Sequence, residues 1–283
     1  MIKIIGFTRR SPGLSHDEYR AGHIGHHASY GRRLRNIRGY IVNVRSNETL
    51  EAALAGFVPG VSRGEPADFD ATWDGYGQLN FDSLEDYFRA TEGEADRATA
   101  GGLAVDALVH SVGGDGGHLY GGAPFQFFVD EHVVLTVRRP ERRMVKLVQF
   151  VKRHPSLSPA EFRARWFGQY TAIRGRFPGM RGLVFNLRDE TTDVLTGFLD
   201  ARSDAFTPEG RATREAFYAN WDGFAEIWYE SMDAFAGGHA QAPVTASLVA
   251  AEAGLFAATW YRLVDESVNV MPNRDPAPPF YYR

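Results

Sequence analysis

The order of apolar and polar positions along this chain predicts its elements one after another. Residues 2–8 (IKIIGFT) and 145–151 (VKLVQFV) are short, nearly unbroken apolar runs. Such runs suit strands covered on both faces, by helices on one side and a second sheet on the other. After the first run, Arg9, Arg10, Pro12 and Gly13 turn the chain, and Ser15 stands three residues before Glu18. At that spacing the two side chains satisfy free amides at a helix start. A helix is therefore expected over 15–35. Its Tyr19, His23, His27, Tyr30 and Leu34 recur at steps of three and four, so they share one inward stripe.

Residues 144–186 correspond to residues 1–43 without a gap: MIKIIGFTRRSPGLSHDEYR reappears as MVKLVQFVKRHPSLSPAEFR. Self-similarity at a fixed offset means one structural unit used twice. Ser158 and Glu161 repeat the cap, with Pro159 at the first helical position, where its missing amide does no harm. The helices should end near Arg35 and Asn36, and at Pro178 and Gly179, with strands following at 39–44 and 182–187. Polar stretches containing Gly and Pro come next, 45–68 and 188–217. They are too long for hairpin turns and of the kind that forms lids or walls over a site.

The correspondence resumes at Trp73-Asp74-Gly75-Tyr76 and Trp221-Asp222-Gly223-Phe224. Each opens a strand, to about Phe81 or Tyr229, and then a helix from Ser83 or Ser231. Final strands at 127–137 and 259–270 both carry Val-Asp-Glu. Each half thus reads strand, helix, strand, strand, helix, strand, the split βαβ order of a ferredoxin-like unit. One such unit leaves a sheet face bare. The fold class expected is therefore α+β: two tandem ferredoxin-like (βαββαβ) domains, residues 1–141 and 142–270, packed sheet to sheet as a pseudo-symmetric α+β barrel. Residues 271–283 hold four prolines and read as an extended tail, which either clasps a second copy in a homodimer or frays.

Composition narrows the function classes. A hydrophobic fraction of 44% supplies packed cores, so a mainly disordered chain is excluded. The net charge is −4, and the basic residues are scattered; nucleic acid, which needs a basic cluster, is not an expected partner. With Cys 0, thiol nucleophiles, disulfides, iron–sulfur clusters and Cys-ligated zinc are all excluded. The opening MIKIIGFTRR puts an apolar run before a basic pair, the wrong order for a secretory signal, and no apolar run approaches spanning length. A cytoplasmic protein with no membrane partner is expected.

These residues resemble the EthD family of the dimeric α+β barrel superfamily. The likeness is carried by the start MIK-x-x-x-F-x-R-R, by Pro-Gly-Leu-Ser-x-x-Glu-Tyr/Phe-Arg entering the helix, by His27-Ala28 within it and by Asp-Gly before the third strand. It runs over nearly the whole chain, twice. The resemblance implies cofactor-free chemistry on hydrophobic, often aromatic or polyketide-like molecules, including dehydration, decarboxylation and oxygenation. It places the family's helical histidine at His27. Tyr170 stands there in the second half, which then serves as wall or scaffold.

Candidate chemistry follows from the same correspondence. Where the second half has Trp166 and Tyr170, the first has His23 and His27. Trading packed bulk for imidazoles has a cost unless the ring nitrogens find partners or a ligand. Seven of nine histidines, 16, 23, 26, 27, 110, 118 and 132, lie in the first half, which points to that half as the bearer of a site. His27 and His23 are the expected general acid and base, against the alternative of core histidines bonded to backbone. Their i, i+4 spacing also suits a metal, with His110, His118, His132 or Asp115 as third ligand, but no HExxH motif is present. No metal and no cofactor are expected.

Tyr30, Tyr40, Trp73, Tyr76 and Tyr120, with Asp74 and His110, are candidate substrate-binding residues, although aromatic stripes are more often core. Asp74, like Asp222, reads first as a turn-fixing residue and second as a carboxylate orienting a histidine. Asn43 and Asn186 read as structural, and Arg9 and Arg10 as a solvated strand end. Gly113-Gly114-Asp115-Gly116-Gly117 lacks the Gly-Lys-Ser/Thr ending of a phosphate loop and reads as a flexible loop. The leading functional expectation is a cofactor-independent lyase, decarboxylating or dehydrating a small hydrophobic, aromatic substrate. The alternatives are a cofactor-free oxygenase of an electron-rich aromatic and a non-catalytic binding protein of a degradative pathway.

Overall fold

The computed structural model describes residues 1–53, 62–92, 112–121, 125–137, 144–189 and 206–272. Eight antiparallel strands close into a barrel: β1 (Ile2–Thr8), β2 (Gly39–Arg45), β3 (Gly75–Phe81), β4 (Phe125–Leu135), β5 (Val145–Arg153), β6 (Met180–Arg188), β7 (Gly223–Tyr229) and β8 (Phe256–Val270). Their hydrogen-bonded order is β1-β3-β2-β8-β5-β7-β6-β4. Closure depends on the two long strands. β4 pairs with β1 through residues 125–129 and with β6 through 129–135. β8 pairs with β5 through 256–264 and with β2 through 264–270. Each long strand thereby joins one half of the chain to the other, and closure removes the unpaired edges of an open sheet.

Alternation along the strands divides their side chains between two environments. Inside the barrel, Phe7, Tyr76, Phe127, Phe150, Phe224 and Trp260 from the strands pack with Phe69, Trp73, Phe217 and Trp221. The same interior also holds a buried ionic cluster. Lys3 Nζ donates to Glu226 at 3.0 Å and to Glu131 at 2.7 Å. Lys146 Nζ donates to Glu226 at 2.6 Å, Glu266 at 3.0 Å and Asn43 at 2.8 Å. Burial alone would raise the Glu226 carboxyl, but the two ammonium groups hold it well below the usual carboxylate range. Asn186 donates to Glu226 at 3.1 Å, so both matched asparagines serve this cluster, in the structural role expected of them.

On the outer face, Ser15 with Glu18 and Ser158 with Glu161 form the two capping boxes read from sequence. The helices they start are not uniform. His16–Ala21 gives way to a π-helical segment, Gly22–His27, and then to Ala28–Gly31; Pro159–Arg165 continues through the π-helical Trp166–Tyr170 into Thr171–Arg174. Such widened turns recur at functional sites. The first helix stops at Gly31, short of Asn36, which takes a left-handed φ of 60° in the turn before β2.

One further expectation is corrected, and helices that the sequence reading did not name appear. The Gly-rich stretch read as a loop lies in a helix, Val112–Leu119; it packs on the π-helical segment, where Leu119 takes the space that a Cβ on Gly22 would need. The two polar insertions hold helix: Leu50–Ala53 in the first, with a 3-10 turn, Phe69–Ala71, directly after it, and in the second the start of Pro208–Ala219, capped by Thr207 and running two residues beyond it. A helix, Ala242–Ala253, also precedes β8. No helix among the described residues is long and apolar enough to cross a membrane. Residues 273–283, most of the expected tail, lie outside the described residues, as does His110.

Candidate active site

The inward stripe of the first helix becomes a column of rings. Tyr19 stacks on His23 at 5.1 Å between centroids, and His23 on His27 at 5.4 Å with the planes 6° apart. Both histidines are buried, 1% and 7% exposed. Tyr120, directly after the Gly-rich helix, sets its hydroxyl between them, 3.1 Å from His23 Nδ1 and 2.9 Å from His27 Nε2. From within that helix Asp115 meets His27 Nδ1 at 3.1 Å.

One proton arrangement satisfies this line when both imidazoles are neutral and the Asp115 carboxylate is ionised. The carboxylate only accepts, so His27 Nδ1 donates to it; His27 Nε2 then accepts from the Tyr120 hydroxyl, whose oxygen accepts from His23 Nδ1–H. His23 Nε2 is left as a lone pair, and that atom is buried without a partner. Burial, and secondarily the neighbouring His27, push the His23 pKa well below its ordinary value. Burial, then Tyr19, Tyr40 and Asp115, hold the Tyr120 phenol well above its own. His23 is thus kept neutral with a basic nitrogen exposed to no other group, connected through two hydrogen-bonding residues to a carboxylate.

Two glycines face each other on neighbouring strands of the first half. Gly6 of β1 pairs with Gly77 of β3, and both remain partly accessible although they lie in mid-strand. No atom beyond its chain neighbours comes within 4 Å of where a Cβ on Gly77 would stand. The matched positions of the second half are filled: Gln149 is 0% and Ala225 1% exposed, and Phe185, opposite Val42, is 0% exposed and stacks on Trp166 at 5.0 Å. Gln149 is further tied to Glu252 at 3.3 Å, and Tyr170 to the same carboxylate at 2.7 Å. Five positions, 6, 23, 27, 42 and 77, thus carry residues smaller than Gln149, Trp166, Tyr170, Phe185 and Ala225; Gly6 and Gly77 stay partly accessible, while Val42 is 0% exposed.

The structure brings together His23, His27, Tyr120 and Tyr40 among the residues chosen from sequence. Tyr40 lies flat under Gly31 and has its phenol pKa raised by burial and then by Asp115. Tyr30 is half-buried at the edge of the same apolar cluster. Trp73 and Tyr76 are not part of this site: they lie on the other face of the sheet, inside the barrel, where Trp73 packs on Phe7 and the Tyr76 hydroxyl donates to Glu226 at 2.9 Å. The two-residue alternation of β3 puts Tyr76 and Gly77 on opposite faces.

Asp74 orients no histidine. It accepts from the Arg10 amide at 2.9 Å and from its guanidinium at 2.6 Å, as Asp222 accepts from the Arg153 amide at 2.7 Å. The carboxylate on His27 is Asp115, which sequence reasoning named only as a third metal ligand. Gly6 and Gly77 were missed altogether, although their exchange for Gln149 and Ala225 was visible in the correspondence that exposed the histidines. Among the described residues no group of three or more His, Asp and Glu side chains is placed to hold a metal ion.

Residues 154–259 match the EthD domain model. The match falls in the second half, whose packed site lacks the histidines. No curated protein matches the chain in sequence. Several solved structures share its fold. A monooxygenase-like protein from Lactobacillus acidophilus NCFM superposes with a TM-score of 0.51 at 9% identity, covering 96% of each chain. An anthrone oxidase-like protein gives 0.52 at 8% identity, again over 96% of each chain. A monooxygenase-like protein from Fusobacterium nucleatum gives 0.50 at 6%, over 94% of this chain and 92% of that one. At such identities the likeness is one of fold.

Proposed function

We propose that this chain is an oxygenase that acts on an electron-rich, hydroxylated aromatic molecule without a cofactor of its own. The observation that carries the reading is the hydrogen-bonded line from Asp115 through His27 and Tyr120 to His23, whose Nε2 is buried without a partner. A buried neutral imidazole with an unpartnered nitrogen suits removal of a proton from an acidic C–H or O–H of a planar ring system, leaving a carbanion delocalised over the rings.

Such a carbanion reduces dioxygen itself. The carbanion adds O2 to give a peroxide anion, which takes a proton to become a hydroperoxide. Loss of the remaining C–H proton and of hydroxide from the O–O bond leaves a carbonyl and water. In sum, one methylene group and one dioxygen give one carbonyl group and one water, and no outside reductant is needed, because the substrate carbon supplies all the electrons. The names of the proteins of like fold favour this over the lyase expected from sequence, which would use the same base. The fold reading extends likewise: residues 1–141 and 142–270 are two ferredoxin-like, EthD-related units, the second a scaffold for the first.

The test is turnover of a panel of tricyclic hydroxylated aryl ketones with an activated methylene, under air and under argon. Uptake of one O2 per turnover, with label from 18O2 in the product and no reaction under argon, supports the oxygenase. Release of CO2 or water under argon assigns the lyase instead. Saturable binding without turnover in either atmosphere assigns a binding protein.

A further inference from the structure

His23 and His27 are buried, and His23 Nε2 is enclosed without a hydrogen-bond partner, so a molecule reaches the pair only when something over it moves. Of the elements packed around it, β2 belongs to the closed barrel, and the helix that bears the histidines starts at a capping box. The Gly-rich helix Val112–Leu119 is the weak one. Four of its eight residues are glycine, which favours a helix least after proline and gains most freedom when one opens. Gly116 lies on the Tyr120 ring and next to His27: a Cβ there would stand 3.1 Å from Tyr120 Cε2 and 3.9 Å from His27 Cε1. Asp115 meets His27 Nδ1 at 3.1 Å, and Leu119 is wedged against Gly22. The end of the helix is tethered. Ser11 N–H donates to Leu119 O at 2.8 Å, Gly121 N–H donates to Arg9 O at 2.9 Å, and Arg10 bridges to Tyr120.

We propose that Val112–Leu119 is the lid of the histidine site, swinging about its tethered end to admit a planar molecule and closing to restore the Asp115–His27 bond. The inference rests on the histidine line being the site, whichever reaction runs there. Opening uncovers His27 and the way to His23; closure sets the Nδ1–H form of His27 and shuts water out. Lids are drawn from the parts of a fold that open at least cost, and the glycines lower that cost here while the tether keeps the hinge in register.

The experiment pairs amide hydrogen exchange of the full chain with acylation of its histidines by diethyl pyrocarbonate, both mapped by mass spectrometry. Amides of residues 113–118 should exchange well ahead of those of β1 and β3, and His23 and His27 should react in step with that opening, more slowly than the exposed His26. Leu119→Ala, which removes the wedge at Gly22, should raise the exchange and both histidine rates by about tenfold or more. Gly117→Ala, at an exposed helical position, should lower them about fivefold, with His26 unchanged in both variants. Exchange of 113–118 no faster than that of the barrel strands, or histidine rates that stay fixed while the exchange moves, would each overturn the lid. Neither measurement needs a substrate, so absence of turnover on the aryl ketones bears on the oxygenase reading alone.

Discussion

His23 and His27 lie face to face, 5.4 Å between ring centroids and 6° from parallel, and share the Tyr120 hydroxyl. Two imidazolium charges at this separation inside a protein would repel strongly. Burial first, and then the neighbouring His27, lower the His23 pKa. In His27→Gln the second of those causes is gone. The His23 titration, followed by NMR of the ring protons, should move upward towards the ordinary value, and turnover should fall by about 10²–10⁴. An unmoved His23 titration would mean that the rings are not coupled.

Gly77 faces open space under the column. Alanine there needs no rearrangement and removes backbone freedom from the unfolded chain, so Gly77→Ala should stabilise the protein by about 0.5–1 kcal/mol. The added methyl enters that space, so KM for the aromatic substrate should rise if the substrate lies against Gly77. Thermal melting and kinetics on one preparation check both; a variant stabilised with KM unchanged would place the substrate elsewhere.

Asp74 and Asp115 are both buried or partly buried carboxylates, and they should separate cleanly. Asp74→Asn weakens the clamp on Arg10 and should cost roughly 1–3 kcal/mol of stability with kcat nearly intact. Asp115→Asn no longer favours the Nδ1–H form of His27 and should lower kcat with little change in melting temperature. The reverse pattern would return Asp74 to the catalytic role first considered for it.

Acid should loosen the fold before carboxylates protonate. Burial lowers His23, and burial with Arg174 lowers His239 to about 3, so both are neutral in the folded state while the unfolded chain takes up protons below about pH 6.5. Their contribution is fully present above that value and is lost as pH falls towards the folded pKa, at up to about 1.4 kcal/mol per unit for each group. Melting temperatures between about pH 7 and pH 5 should therefore decline, and His239→Leu should flatten the decline. An unchanged slope in that variant would mean that His239 is not held neutral.

Glu226 stands between Lys3 and Lys146 inside the barrel. Glu226→Gln leaves two buried ammonium groups short of a counterion, a change that costs about 3–5 kcal/mol. Because Lys3 and Glu226 come from opposite halves, the loss should appear as a lower melting temperature of the whole barrel in calorimetry. A separate transition for one half would show that the cluster does not join them.

The places of the strands along the chain, the two capping boxes and the exchange of Trp166 and Tyr170 for His23 and His27 were legible in the chain itself, because apolar periodicity and Ser-x-x-Glu spacing are local physics. The gapless correspondence of residues 1–43 with 144–186 also singled out the half that carries the two buried histidines. Sequence could not place Trp73 and Tyr76 against the histidines or away from them, since one residue of register decides which face of a sheet a side chain joins. Nor could it bring Asp115 to His27, 88 positions apart, from a run of glycines whose own preference is for loops. That pairing arises from close packing of one helix on another, where Leu119 fills the space Gly22 leaves free. Contacts between distant segments depend on shape in three dimensions, and only the closed barrel with its packed helices supplied that shape.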